Sequence, residues 1–145
     1  MMNKRISVFR KEHFCAAHRL NNPSWTEEKN NAVFGKCNNP NYHGHNYELN
    51  VKVTGEPAAD TGFVIDLKYL SDLIKEMVIE KLDHKNLNLD VPFLQGKIVS
   101  CENLVKSFWE ILAPLILDAS NQRARLHKLK LYETPTSFAA YRGDE

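Results

Sequence analysis

The segment HGHNYELNVKVTG, residues 43–55, restricts the fold more than any other part of the chain. His43, His45, Tyr47, Leu49, Val51 and Val53 fall on one parity, and Asn46, Glu48, Asn50 and Lys52 on the other. Side chains of a strand alternate between faces, so this pattern predicts a strand with one face in a core and one towards solvent. GEPAADTG closes it as a turn. Two histidines at the mouth of an otherwise apolar face are what a packing argument does not explain.

The rest of the chain supplies partners for that strand. In RISVFRKEHFCAAHRL, Ile6, Val8, Phe14, Ala16 and His18 share parity, but Arg10 and Glu12 interrupt the face, which predicts a bulge or two strand pieces. Residues 21–42 are rich in Asn and Pro and read as a long loop, of the kind that carries function. From Asp66, an N-cap residue, Leu67, Leu70, Ile74, Met77 and Leu82 predict a helix ending near LDHKNLN. A second helix starts at Ser100 with Glu102 in its first turn, carries Leu104, Val105, Phe108, Ile111, Leu112 and Leu115, and is disturbed by Pro114. RLHKLKLYET and SFAAYRG read as two further strands. The order predicts an α+β fold: an antiparallel four-stranded sheet with two helices on one face.

A length of 145 residues, 43% of them hydrophobic, fits one domain spanning residues 1–145. The formal charge of +1 gives no general attraction for nucleic acid or an anionic membrane. The N-terminal stretch lacks a signal-peptide core and no window reaches membrane-span length, so the chain reads as cytoplasmic. Three cysteines form no disulfide framework.

His43 and His45 project from one strand face, with Gly44 turned away and leaving room for close backbone approach. His18, on a neighbouring strand, completes a set of three imidazoles that suits zinc and leaves a fourth position open; histidines sharing parity by chance are the other reading. Cys37 is a fourth ligand of a closed structural site, a buried thiol, or a base beside the metal, since a nearby cation favours thiolate. Cys15 and Cys101 read as packing residues. Asp83 and His84 follow a helix, as an acid–base pair or as a solvated cap. Glu133 shares parity with Leu129 and Leu131; it either points inward, where it needs partners, or lies past the strand end in solvent.

FCAAHRL, FGKCNNPNYHGHNY, LDHKNLN, ENL and YET, in this order and over nearly the whole chain, resemble the 6-pyruvoyl-tetrahydropterin synthase family. The resemblance implies the tunnelling fold, with sheets joined into a barrel in a homohexamer, a dimer of trimers. It implies a lyase of tetrahydrobiopterin synthesis that converts 7,8-dihydroneopterin triphosphate to 6-pyruvoyl-tetrahydropterin with loss of triphosphate, using one zinc ion per subunit and accepting magnesium with the triphosphate. His18, His43 and His45 match the zinc ligands and Cys37 the catalytic cysteine. Asp83 and His84 match a proton relay from a neighbouring subunit. Glu133 matches the carboxylate that anchors the pterin and is grouped with the relay, and Ser100, Cys101 and Glu102 fall at other pterin contacts. Two positions depart from the pattern: Tyr42 stands where the family more often has glycine, and Ser100-Cys101 replaces a pair of threonines.

Two other functions compete with this one. A 6-carboxy-tetrahydropterin synthase of the queuosine pathway shares the fold and substrate, but the five residues from Asn38 to Tyr42, between Cys37 and HGH, favour the pyruvoyl product. A non-catalytic zinc or pterin-binding protein would close the site with Cys37 as fourth ligand, or would lack a base.

Overall fold

In the computed structural model, which describes residues 4–143, one five-stranded sheet is ordered β3-β1-β2-β4-β5. Its strands are β1 (Ile6–His18), β2 (His43–Gly55), β3 (Lys85–Asn86), β4 (Ala124–Thr134) and β5 (Ser137–Tyr141). The four long strands are those expected and run antiparallel; the two-residue β3 is an addition, parallel to β1 at Ala16 and Ala17. It is too short to leave an alternating pattern.

β1 is continuous. It pairs with β2 without a register shift from Ile6 opposite Gly55 to His18 opposite His43, so the expected bulge is absent. Glu12 stays on the inward face because it is satisfied there: Arg10 Nε donates to Glu12 Oε1 at 2.7 Å and Ser71 Oγ donates to the same oxygen at 2.6 Å. Burial alone would raise the Glu12 carboxyl, yet these two bonds and the Arg10 charge hold it below its ordinary value.

Among the described residues four α-helices accompany the sheet. Inside the expected loop lies α1 (Glu27–Phe34), capped by Thr26, whose hydroxyl accepts from Lys29 N at 3.1 Å, and ended by Gly35 at φ 56°. Apart from Asn30 its residues are not buried, so no apolar stripe announces it. Asp66 caps α2 (Leu67–Ile74) as expected, accepting from Lys68 N at 2.9 Å. A wide π-type turn (Lys75–Ile79) then leads into α3 (Glu80–Leu82). Buried Leu70, Ile74, Val78 and Leu82 are four apart, a spacing that drifts about 40° per step on a regular α-helix. The wider turn takes up that drift and keeps all four on the sheet.

α4 (Cys101–Ala119), N-capped by Ser100, runs five residues beyond Pro114. Its buried stripe of Leu104, Phe108, Leu112 and Ile116 crosses the proline, and Leu115 is only half-buried. These side chains meet Phe14, Tyr47, Leu49, Leu129 and Leu131 of the sheet in one core. The opposite sheet face carries Phe9, Lys11, Lys52 and Lys130, which no helix covers. Among the described residues, no helix is long and apolar enough to cross a membrane.

Candidate metal centre

Strand register brings the three histidines together. His18 lies directly opposite His43, and His45 is opposite Ala16, two residues along the same face. The ring centroids of His18 and His43, His18 and His45, and His43 and His45 are 4.6, 5.1 and 4.9 Å apart. Gly44 is exposed on the other face, but a Cβ there would meet only Ala16 O at 3.6 Å, an ordinary contact, so the expected close approach is not what the glycine serves.

The orientation of His18 is set from behind. Its Nδ1 lies 2.8 Å from the Val99 carbonyl and 3.3 Å from the Tyr47 hydroxyl. A carbonyl only accepts, so Nδ1 carries the proton and Nε2 presents its lone pair to the cluster. Burial, reinforced by His43, holds the His18 imidazole below its ordinary pKa despite the Val99 bond, and burial does the same to His45 against the pull of Glu133. Both rings are therefore neutral near pH 7, the form that ligates a metal. Burial also pushes the Tyr47 phenol far above its usual range, so it remains a neutral hydroxyl.

Glu133 points inward. It sits one position beyond the last β2–β4 pair, Glu48 with Tyr132, and at a register shift between β4 and β5. An irregularity of this kind re-aims a side chain. Glu133 Oε1 is 2.8 Å from His45 Nε2 and 3.5 Å from His18 Nε2. The contact with His45 has the distance of an ion pair but not hydrogen-bond alignment, and His18 Nε2, His43 Nδ1 and His45 Nε2 are buried without a hydrogen-bond partner. Candidate ligand atoms of His18, His43, His45 and Glu133 all lie within 4.8 Å of one another. Three imidazoles with partnerless buried nitrogens, beside one carboxylate, fit a divalent cation of zinc's type. Among the described residues Cys37 is outside this group, so the fourth group at the cluster is Glu133 and not the cysteine.

Cys37 is half-buried in a short 3₁₀ turn, Gly35–Asn38. Leu20 N donates to its carbonyl at 2.8 Å, and Arg19 Nε donates to the Asn38 carbonyl at 2.9 Å. The Asn38 amide, 1% exposed, donates to Asn31 Oδ1 at 2.7 Å and accepts from Asn21 Nδ2 at 2.9 Å. The asparagine-rich segment is thus a hydrogen-bonded frame that hangs the Cys37 turn from the end of β1.

Ser100, Cys101 and Glu102 begin α4, and Cys101, Glu102 and Glu133 line one cavity with Ser137, Phe138 and Ala139. Ser100 Oγ is occupied as the cap, accepting from Asn103 N at 3.2 Å. Cys101 packs inward as expected, its thiol donating to the Leu131 carbonyl at 3.2 Å; burial, with the Glu133 charge behind it, pushes that thiol up to about 11. Cys15, by contrast, is exposed rather than packed, because Phe14 and Ala16 take the inward parity.

Asp83 and His84 stand at the β1 edge of the sheet. Asp83 Oδ1 accepts from Cys15 N at 2.9 Å, His84 N donates to Cys15 O at 2.6 Å, and His84 Nδ1 is 3.0 Å from Asp83 Oδ2. The bond from Cys15 N keeps the Asp83 carboxyl below its ordinary value. The His84 side chain is 82% exposed, and neither residue belongs to the histidine–carboxylate group of its own chain. Val99, Tyr47 and Asn38 support the site but are not evident as site residues in the sequence; Tyr47 alone carries a signal, the parity it shares with His43 and His45.

Known proteins place this geometry. The family model for 6-pyruvoyl tetrahydropterin synthase matches residues 7–144. The chain is 38% identical over 143 residues to the 6-pyruvoyl tetrahydrobiopterin synthase of Dictyostelium discoideum, covering 99% of this chain and 100% of the relative. It is 39% identical over 140 residues to that of Homo sapiens, covering 97% and 93%. The solved structure of the Caenorhabditis elegans 6-pyruvoyl tetrahydropterin synthase superposes with a TM-score of 0.88 at 35% identity, covering 99% of this chain and all of that one. With match, coverage and fold in agreement, the chain belongs to the 6-pyruvoyl tetrahydropterin synthase family.

Proposed function

We propose that the chain is a lyase converting 7,8-dihydroneopterin triphosphate to 6-pyruvoyl-tetrahydropterin with elimination of triphosphate. The observation that carries this is the set of three histidines with partnerless buried ring nitrogens beside Glu133, in a chain whose near-full-length relatives are named for this synthase. His18, His43 and His45 would hold zinc, one ion per subunit, which when bound supplies Lewis acidity towards the side-chain oxygens of the substrate.

The residues of the chain divide the remaining work. Glu133, aimed into the cluster by the β4 irregularity, accepts hydrogen bonds from the N–H groups of the pterin ring, and Glu102 lines the same cavity. Cys37 acts as the base that removes a proton from the substrate side chain. Asp83 orients His84, which returns and accepts protons during the internal redox step. Because this pair is exposed at a sheet edge and outside its own chain's histidine group, it serves a neighbouring copy, in a homohexamer whose sheets close into a barrel. Residues 1–145 act as one domain, a cytoplasmic enzyme, and magnesium accompanies the triphosphate.

The test is to incubate zinc-loaded protein with 7,8-dihydroneopterin triphosphate and identify the pterin by mass spectrometry, with Cys37→Ala in parallel. The expected product is the pyruvoyl compound, with turnover lower by roughly 10²–10⁴-fold in the variant, as loss of a general base requires. A carboxy product moves the chain to the queuosine reaction. Bound zinc without turnover makes the cluster a structural site.

A further inference from the structure

The sheet face opposite the core holds a charge arrangement that the histidine cluster does not use. Lys11, Lys52, Lys128 and Lys130, with Asn50 and Phe9, line one cavity there. The register shows why they converge: Phe9, Lys52 and Lys128 form one row across β1, β2 and β4, and Lys11, Asn50 and Lys130 form the next. Lys52 and Lys128 are therefore directly opposite each other, a like-charge pairing that destabilises a sheet.

Among the described residues no carboxylate lines this cavity, although the chain as a whole carries only +1. Partial desolvation, then the charges of Lys130, Arg142 and Lys52, depress the Lys128 ammonium. The lysines lean on aromatic faces, Lys52 Nζ at 5.7 Å from the Phe9 ring centroid and Lys130 Nζ at 5.5 Å from that of Phe138. Asn50 Oδ1 is buried in the same cavity without a partner. The amide turned by 180° has the same shape and would present a donor instead.

We propose that this face binds a linear oligophosphate, with inorganic tripolyphosphate as the ligand whose charge it matches. Two strand spacings, about 10 Å, separate the β1 and β4 lysines, a span that linked phosphates bridge and a single orthophosphate does not. Nucleic acid would also meet cations and exposed rings here, but Phe9 and Phe138 stand under lysine ammoniums, so the charge and not the ring faces leads. The site has opposite parity to His18, His43 and His45 and does not depend on the reaction proposed for them.

Isothermal titration at two salt concentrations tests this, using tripolyphosphate, orthophosphate and a uridine oligonucleotide against the intact protein, Lys52→Gln/Lys128→Gln, and Lys106→Gln from a different cavity. Tripolyphosphate should bind more tightly than orthophosphate and weaken with salt. It should lose at least tenfold in the double variant and less than twofold in Lys106→Gln. The double variant should melt no lower than the parent, since the substitutions relieve repulsion between two half-buried cations facing each other across the sheet. Equal binding of orthophosphate, undiminished affinity in the double variant, stronger binding of the oligonucleotide, or a lower melting temperature would each overturn the proposal.

Discussion

Replacing Asn38 by alanine should loosen the turn that carries Cys37 while leaving the histidine cluster and the core intact. The amide is buried and makes two hydrogen bonds, to Asn31 Oδ1 at 2.7 Å and from Asn21 Nδ2 at 2.9 Å. At roughly 1 kcal/mol net for each neutral bond, the native arrangement of this segment loses about 2 kcal/mol, about a 30-fold change in its opening equilibrium. The Leu20 amide, bonded to the Cys37 carbonyl at 2.8 Å, reports that opening directly. In hydrogen exchange it should accelerate by about that factor, whereas the amide of Leu49, in the centre of the sheet, should change little. Zinc stoichiometry should stay as in the parent, because the histidines sit on β1 and β2, and turnover should fall. An unchanged Leu20 rate would refute the idea that the asparagine frame positions Cys37. Equal acceleration at Leu49 would refute it too, by showing that the segment does not open separately from the core.

Three further outcomes follow from local geometry. Tyr42 has φ 67°, which explains why glycine suits this position; relief of about 1–2 kcal/mol of left-handed strain, less the backbone entropy cost of glycine, should leave Tyr42→Gly as stable as the parent or slightly more so in urea denaturation, and a clear loss would mean that the ring packs usefully. Gly44→Ala should be tolerated, with melting temperature and zinc content unchanged, whereas Gly55→Ala should destabilise, because its Cβ would stand 2.7 Å from Arg123 O. Glu12→Gln should cost about 1.5–3 kcal/mol at pH 7 by removing charge-assisted bonds. The folded Glu12 carboxyl lies below the ordinary 4.5, so its contribution is complete above that pH and is lost as pH falls through the folded value; urea titrations of parent and variant should therefore converge as the pH is lowered below 4.5, and a gap that stays constant as the pH falls would remove Arg10 and Ser71 as the cause.

What could be read from residue order, and what could not, divides by the range over which each constraint acts. The parity of His43, His45, Tyr47, Leu49, Val51 and Val53 is local, because alternation along a strand is decided by neighbours two residues apart, and the structure keeps all six on the inward face. The Asp66 cap and the start of the second helix at Ser100 are legible for the same reason. Glu12 shows the opposite case. Its inward position was visible as an anomaly, but one of the groups that makes it tolerable, the Ser71 hydroxyl, lies 59 residues away, so an unsatisfied carboxylate looked like a break in the strand. The helix α1 was hidden because its Thr26 cap and acidic first turn are not accompanied by an apolar stripe; buried Asn30, bonded to Asn22 and Thr26, ties it down instead. Glu133 needed both kinds of information: its parity was local, but its aim at His45 depends on an irregularity in the pairing of β4 with β5. The candidate site residues thus announce themselves by type and spacing, while the groups that orient them, such as the Val99 carbonyl behind His18 and the asparagines around Cys37, act through backbone and amide contacts that carry no such signal. A substitution in that supporting set therefore discriminates better than one more substitution among the histidines, since losing a ligand would abolish function under every reading of the site, and losing Asn38 only under the one in which Cys37 must be held in place.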